Sequence, residues 1–151
     1  MKDRELLLQE EYINTQHGPW KVLVTCQMLN KTAWVPVEKA LRTILIKWST
    51  PDKMAYMSLE EMQELHDILK PLGLVQSRVK SLLAMSIEYD DMYKAHGVRY
   101  NEYDISSLSG CGRYAIDAWT LFVLKKKCFP TDRRLKDYAK EHNLLEESME
   151  G

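Results

Sequence analysis

The chain is expected to fold as an all-α domain, on three features of its sequence. Apolar residues recur at helical spacing along most of its length, no stretch alternates convincingly with a period of two, and cap residues followed by acids mark several helix starts. With 151 residues there is room for one core and no useful second one. Residues 1–151 therefore read as a single domain of roughly eight to ten short helices.

Taken in order, residues 6–13 form an amphipathic first segment that the turn chemistry of NTQHGP breaks. Pro19 suits the first turn of the next helix, which Trp20 opens into the apolar run WKVLVTCQML. Pro36 sits where a third helix can start, with Val37, Leu41, Ile44, Leu45 and Trp48 on one face. STPDK and MSLEE each read as a cap followed by acids, and Ser58 with Glu61 makes a capping box. LKPLGL stops a helix and turns; residues 76–89 resume it with Val79, Leu82, Leu83 and Ser86 at helical spacing. Gly97 and its polar neighbours read as a loop. Residues 104–108, a Ser-Gly-Cys-Gly turn and residues 113–124 read as helix, turn and helix, a hairpin over about 104–124. Pro130-Thr131-Asp132 opens a last helix over 131–142.

The bulk composition narrows the class. No apolar run approaches the ~20 residues that cross a membrane, and the acidic, polar start MKDRELLLQEE is unlike a secretory signal. Cys26, Cys111 and Cys128 are odd in number and never paired as CxxC, which argues against a disulfide framework, a zinc site or an iron–sulfur cluster. A reducing compartment follows, the cytoplasm with its nucleoid or a nucleus, and the protein is expected to act as a monomer without a cofactor. Net charge is −1, yet residues 110–136 hold seven Lys/Arg against two acids. Such a run is most often a solvated face; here it flanks the most distinctive motif in the chain.

That motif is ISSLSGCGRYAIDAW, residues 105–119. Gly110 and Gly112 bracket a tight turn, where glycine permits positive φ and a close backbone approach. The helix that follows offers unpaired N–H groups to an anion, and Arg113 adds charge beside them. By itself the pattern is a plain helix hairpin that needs glycine to turn. Downstream come Lys125, Lys126 and Lys127, then Asp132 followed by Arg133 and Arg134, so a carboxylate at a helix mouth is flanked by cations. Its ordinary role there is an N-cap.

At this point the sequence resembles the helix-hairpin-helix/GPD superfamily of DNA glycosylases, whose members include endonuclease III. LSGCG at 108–112 followed by Asp132 looks like the hairpin and distal aspartate of that family. The likeness is closer to the glycosylase domain of methyl-CpG-binding mismatch glycosylases over about residues 5–142. It rests on LLLQEE near the start, PWKVLV, LNKTA, LKPLGL, GCGRYAID and PTDRRL, in that order. The iron–sulfur loop of endonuclease III is not expected, as in the mismatch branch, and residues 1–151 contain no stretch that reads as a methyl-CpG domain.

The resemblance implies roles residue by residue. Asp132 would stabilise the cation-like sugar and orient or deprotonate the attacking water. Tyr114 stands where bifunctional relatives have the lysine that forms an imine; a tyrosine cannot, so a monofunctional enzyme is implied. Tyr114 would also line the base pocket, with Gln9 and Leu8 at the base edge. Leu74 would fill the hole left by a flipped base. Asn30 and Lys31 would enter the duplex from the other side, Lys31 standing where the nearest relatives carry Arg. Gly110, Gly112, Arg113, Lys125, Lys126, Arg133 and Arg134 would hold the DNA. The implied partner is duplex DNA with a flipped pyrimidine, thymine or uracil opposite guanine. Two other functions remain open: a phage-type enzyme processing hypermodified thymine on the same scaffold, and a non-catalytic DNA-binding module. The four histidines show no spacing for a metal or a dyad, and the four Trp and eight Met read as core.

Overall fold

Residue 20 to residue 28 is buried without a break, and this helix is the axis on which the rest is packed. The structure is a computed structural model that describes residues 6–29 and 34–146. Eight α-helices occur among them: α1 (Leu8–Ile13), α2 (Gly18–Leu29), α3 (Trp34–Lys47), α4 (Pro51–Ala55), α5 (Leu59–Leu69), α6 (Val75–His96), α7 (Arg113–Ala118) and α8 (Arg133–Glu141). No strand occurs among the described residues, and the expected all-α class holds. None of these helices is long and apolar enough to cross a membrane.

Helix α2 is mostly apolar and buried on every side, with Lys21, Thr25 and Gln27 as its buried polar residues. It packs against α1, α3, α6 and α7. Gly18 is dictated by the first of these contacts, because a Cβ there would run into the carbonyl of Ile13. Trp20 crosses to α6, where its indole Nε1 donates to the Ser86 hydroxyl at 3.1 Å, so both buried polar groups are satisfied. The expected face of α3 is the buried one: Val37, Leu41, Ile44, Leu45 and Trp48 are at most 4% exposed. Helix α6 is the longest element, with α4 and α5 packed against it.

Local signals set the helix ends. Ser58 Oγ accepts from Glu61 N at 3.1 Å and Glu61 Oε1 accepts from Ser58 N at 3.0 Å, closing the capping box. Lys70–Leu72 tightens into a 3₁₀ turn that ends α5, as LKPLGL predicts. Other boundaries move. Helix α3 is described from Trp34, so it already includes the two residues before Pro36. Helix α6 runs to His96, and the expected loop at Gly97 is a 3₁₀ stretch, Gly97–Glu102. The helix expected over 113–124 is α7 followed by a π turn, Trp119–Val123. Thr120 Oγ1 donates to the Ile116 carbonyl at 2.8 Å, taking the acceptor its own N–H would use in an α-helix. The tail also pairs with residue 128: Cys128 N donates to Leu144 O at 3.0 Å, and Glu146 N to Cys128 O at 2.8 Å.

Candidate functional site

Helices α1, α2 and α7 bring together side chains far apart in sequence. Gln9, fully buried on α1, donates through Nε2 to the Tyr114 hydroxyl at 2.8 Å and to Cys26 Sγ at 3.6 Å. Its Oε1 is buried and has no hydrogen-bond partner. Burial pushes the Cys26 thiol up to about 12; the Gln9 contact opposes this, and Cys111 and the Asp132 carboxylate add to it. Burial also raises the Tyr114 phenol, with smaller upward contributions from Cys26 and Asp132. Asp132 is thus near enough for its charge to be felt by both groups. Leu8, expected at a base edge, is only 1% exposed and belongs to the core beneath Gln9.

Asp132 is the N-cap of α8, its Oδ2 accepting from Leu135 N at 3.0 Å. One carboxylate oxygen is held and the other is left over, on a side chain that is half-buried. The segment before it is not helical. Cys128 is paired with the tail, and the Phe129 carbonyl accepts from Arg113 Nη2 at 2.6 Å. Arg113 also donates through Nε to Asp117 Oδ2 at 2.9 Å, a carboxylate one turn further along α7. The guanidinium predicted to face DNA is therefore engaged within the protein, although its side chain is 59% exposed.

The turn before α7 is anchored on both flanks. Ser109 N and Oγ donate to the two carboxylate oxygens of Glu88 on α6, at 2.6 and 2.8 Å. Gln27 Nε2 donates to Ser109 O at 2.8 Å. Gly110 has φ +74°, and a Cβ there would meet Ser81 Oγ and lie 2.7 Å from Gln27 Nε2. Gly112, exposed and at φ −90°, has open space around it and starts α7.

Leu74 is one of four non-glycine residues at positive φ among the described residues, with His17, Lys125 and Asn143. It lies in the left-handed region (φ 50°, ψ 34°) directly after Gly73 (φ 80°), and its side chain is 63% exposed. Its turn is braced from behind. Arg78, 8% exposed, donates to Gly73 O at 3.1 Å and to Met28 O at 2.8 Å, so α6 ties the turn to the end of α2. Leu74, Ser77, Arg78, Ser81, Gln27, Met28, Leu82 and Gly110 line a cleft of about 150 Å³. Lys125, Lys126, Arg133 and Arg134 are all exposed. Asn30 and Lys31 lie outside the described residues. Among the described residues no group of three His, Cys, Asp or Glu side chains could hold a metal ion.

The structure therefore joins Gln9 to Tyr114, leaves Asp132 within electrostatic range of Tyr114, puts Leu74 and Gly110 on one cleft, and leaves Leu8 buried. Sequence reasoning missed Cys26, Gln27, Arg78 and Glu88. Gln27 carried a usable signal, a polar residue inside a mostly apolar run; the Met28 partner of Arg78 and the Ser109 partner of Glu88 are long-range and leave no local trace.

Known proteins resemble the chain in part. It is 35% identical over 116 residues to a methyl-CpG-binding domain protein 4-like protein of Arabidopsis thaliana, a match covering 77% of this chain and 23% of that protein. It is 31% identical over 97 residues to the thymine/uracil-DNA glycosylase of Pyrobaculum aerophilum, covering 64% of this chain and 40% of that one. No protein-family model matches the chain. The chain spans less than half the length of these two relatives, one of them named as a DNA glycosylase for thymine and uracil.

Proposed function

We propose that the chain is a monofunctional DNA glycosylase of the helix-hairpin-helix type, hydrolysing the N-glycosidic bond of uracil or thymine opposite guanine in duplex DNA. The observation that carries this reading is the buried, unpartnered Oε1 of Gln9 beside Tyr114 and within reach of the charge of Asp132. A buried acceptor without a donor is costly unless a ligand completes it. Because Nε2 is already committed to Tyr114 and Cys26, Gln9 offers only an acceptor. Uracil and thymine present an imide N–H donor at ring position 3, where neutral cytosine presents an acceptor. Gln9 thus favours the imide bases.

In the reaction, water adds its oxygen to C1′ as the C1′–N1 bond breaks and its electron pair leaves on the base. Asp132 faces the sugar with the oxygen not used in capping, stabilising the developing positive charge and accepting the proton of the water. Tyr114, its phenol held neutral by burial, has no amine with which to form an imine, so the product is an abasic site with an intact strand. Leu74 fills the stack left by the flipped base, and the Gly110 turn with Lys125, Lys126, Arg133 and Arg134 meets the phosphates. The names and identities of the two relatives support the same reading.

The test uses labelled duplexes carrying G:T, G:U, A:U and normal pairs, with products split with and without hot alkali. Strand breaks are expected only after alkali, and Asp132→Asn is expected to lose about 10²- to 10⁴-fold in rate. Asparagine caps a helix nearly as well as aspartate, so that variant should remain folded. Breaks without alkali would reveal a lyase nucleophile. Undiminished activity in Asp132→Asn, or no abasic site on any duplex, would overturn the reading.

A further inference from the structure

Arg113 reads in the sequence as a phosphate contact, yet two of its donors are spent inside the protein, and what they hold is informative. Nε reaches Asp117, a carboxylate that is only 6% exposed, and Nη2 reaches the carbonyl of Phe129. Phe129 lies three residues before Asp132, in a segment without helical hydrogen bonds of its own. Two anchors fix that segment from outside α8: the tail at Cys128 and Arg113 at Phe129. Arg113 is also the first residue of α7, immediately after the turn of Gly110 and Gly112. One side chain thus spans from that turn to the approach of Asp132. Surface ion pairs stabilise little on their own, so stability alone is a weak reason for this arrangement. Planar, forked donors suit it, because a carboxylate and a carbonyl are held at once in fixed relative positions.

We propose that Arg113 is a positioning residue for Asp132: it locks the segment carrying the acid to the start of α7, so that seating the sugar-phosphate backbone on the Gly110 turn also sets where the carboxylate stands. The proposal rests on the glycosylase reading above. A displacement of about 1 Å in such a group is enough to cost on the order of 10²-fold in rate. Asp117 supports the guanidinium from behind and takes no part in the reaction.

The full chain is compared as wild type, Arg113→Met, Arg113→Lys and Asp132→Asn. Single-turnover base release on a G:U duplex at saturating protein is measured together with duplex affinity over a salt series and the melting temperature. Arg113→Met is expected to slow base release by roughly 10- to 100-fold while affinity, its salt slope and melting temperature stay close to wild type. Arg113→Lys, which can satisfy one partner but not both, is expected to recover part of the rate. Weaker binding with a salt slope reduced by about one, and an intact rate at saturation, would make Arg113 a phosphate contact and overturn the proposal. Rate, affinity and melting temperature falling together would make it merely structural, and a wild-type rate would dismiss it. Should wild type release no base from any duplex, the glycosylase reading itself has failed. Amide hydrogen exchange across residues 128–135 then decides the positioning role: faster exchange there in Arg113→Met supports it, unchanged exchange rejects it.

Discussion

Two turns meet across one cleft, residues 73–74 and residues 109–112, and they reach positive φ on opposite terms. At Gly110 glycine is favoured twice over, once by φ +74° and once because a Cβ would displace the Gln27 and Ser81 side chains. At Leu74 the backbone would welcome glycine or asparagine, yet a leucine occupies the left-handed region with its side chain in solvent. That conformation costs a non-glycine residue about 1–2 kcal/mol. Packing explains the first turn completely. It explains less of the second, where an apolar side chain is both strained and exposed, as the proposed wedge role would require. Behind both turns stands the C-terminal half of α2, through Gln27 for one and the Met28 carbonyl for the other.

The widest separation between the turns comes from putting a methyl group on their glycines. Gly110→Ala combines left-handed strain with overpacking and should destabilise by about 2–5 kcal/mol. Gly73→Ala meets nothing within 4 Å and should cost only about 1–2 kcal/mol. Urea unfolding of the two variants measures the difference, and equal losses would show that the Gly110 packing is adjustable. Leu74→Asn sharpens the contrast from the other side. Asparagine tolerates the left-handed region, so stability should hold or rise by up to about 1 kcal/mol, while base release from a duplex slows by roughly tenfold. A variant that loses stability and keeps its rate would make Leu74 an ordinary turn residue.

The smallest effect separates the turns by titration. Only the 109–112 turn contains a buried ionisable group. Burial, with a contribution from Glu88, pushes the Cys111 thiol up to about 12, against an ordinary value of 9.0. Cys26 behaves alike. The folded chain keeps both thiols protonated where the unfolded chain would release the protons. Stability should therefore be level below about pH 9 and fall as pH rises from there toward 12. Melting temperatures at pH 8 and pH 10 check the sign, and thiol reagents at pH 8 should leave Cys26 and Cys111 unmodified in the folded chain.

What could be read from the sequence was local. The Ser58–Glu61 box, the stop at LKPLGL, the buried face of α3 and the cap at Asp132 all depend on residues within one or two helical turns of each other. Gly110 was readable for the same reason, since few residues can turn a chain that tightly. Features decided by distant partners were not. The Gln9–Tyr114 bond joins residues 105 apart, and nothing near Gln9 marks it as buried. Arg113 reads as a DNA contact, and the sequence shows its charge and Asp117 one turn on but not the Phe129 carbonyl. The π turn at Trp119–Val123 hid inside a pattern that fits an α-helix equally well. Leu8, expected at the same base edge, is as buried as Gln9, and no local signal marks either as core.

The tail bears on how this chain can change over time. Residues 144 and 146 hold Cys128 through backbone atoms alone, and Cys128 replies with its own backbone N–H and carbonyl. The hydrogen bonds of this pairing use no side-chain atom, although Cys128 and Leu144 also pack against the core, and they fix the number of residues between 128 and 146. Backbone pairing thus constrains the length of this strap, while packing at Cys128, Leu135, Ala139 and Leu144 constrains its letters. A single deletion within it would shift the approach to Asp132 while leaving every residue of the proposed site intact.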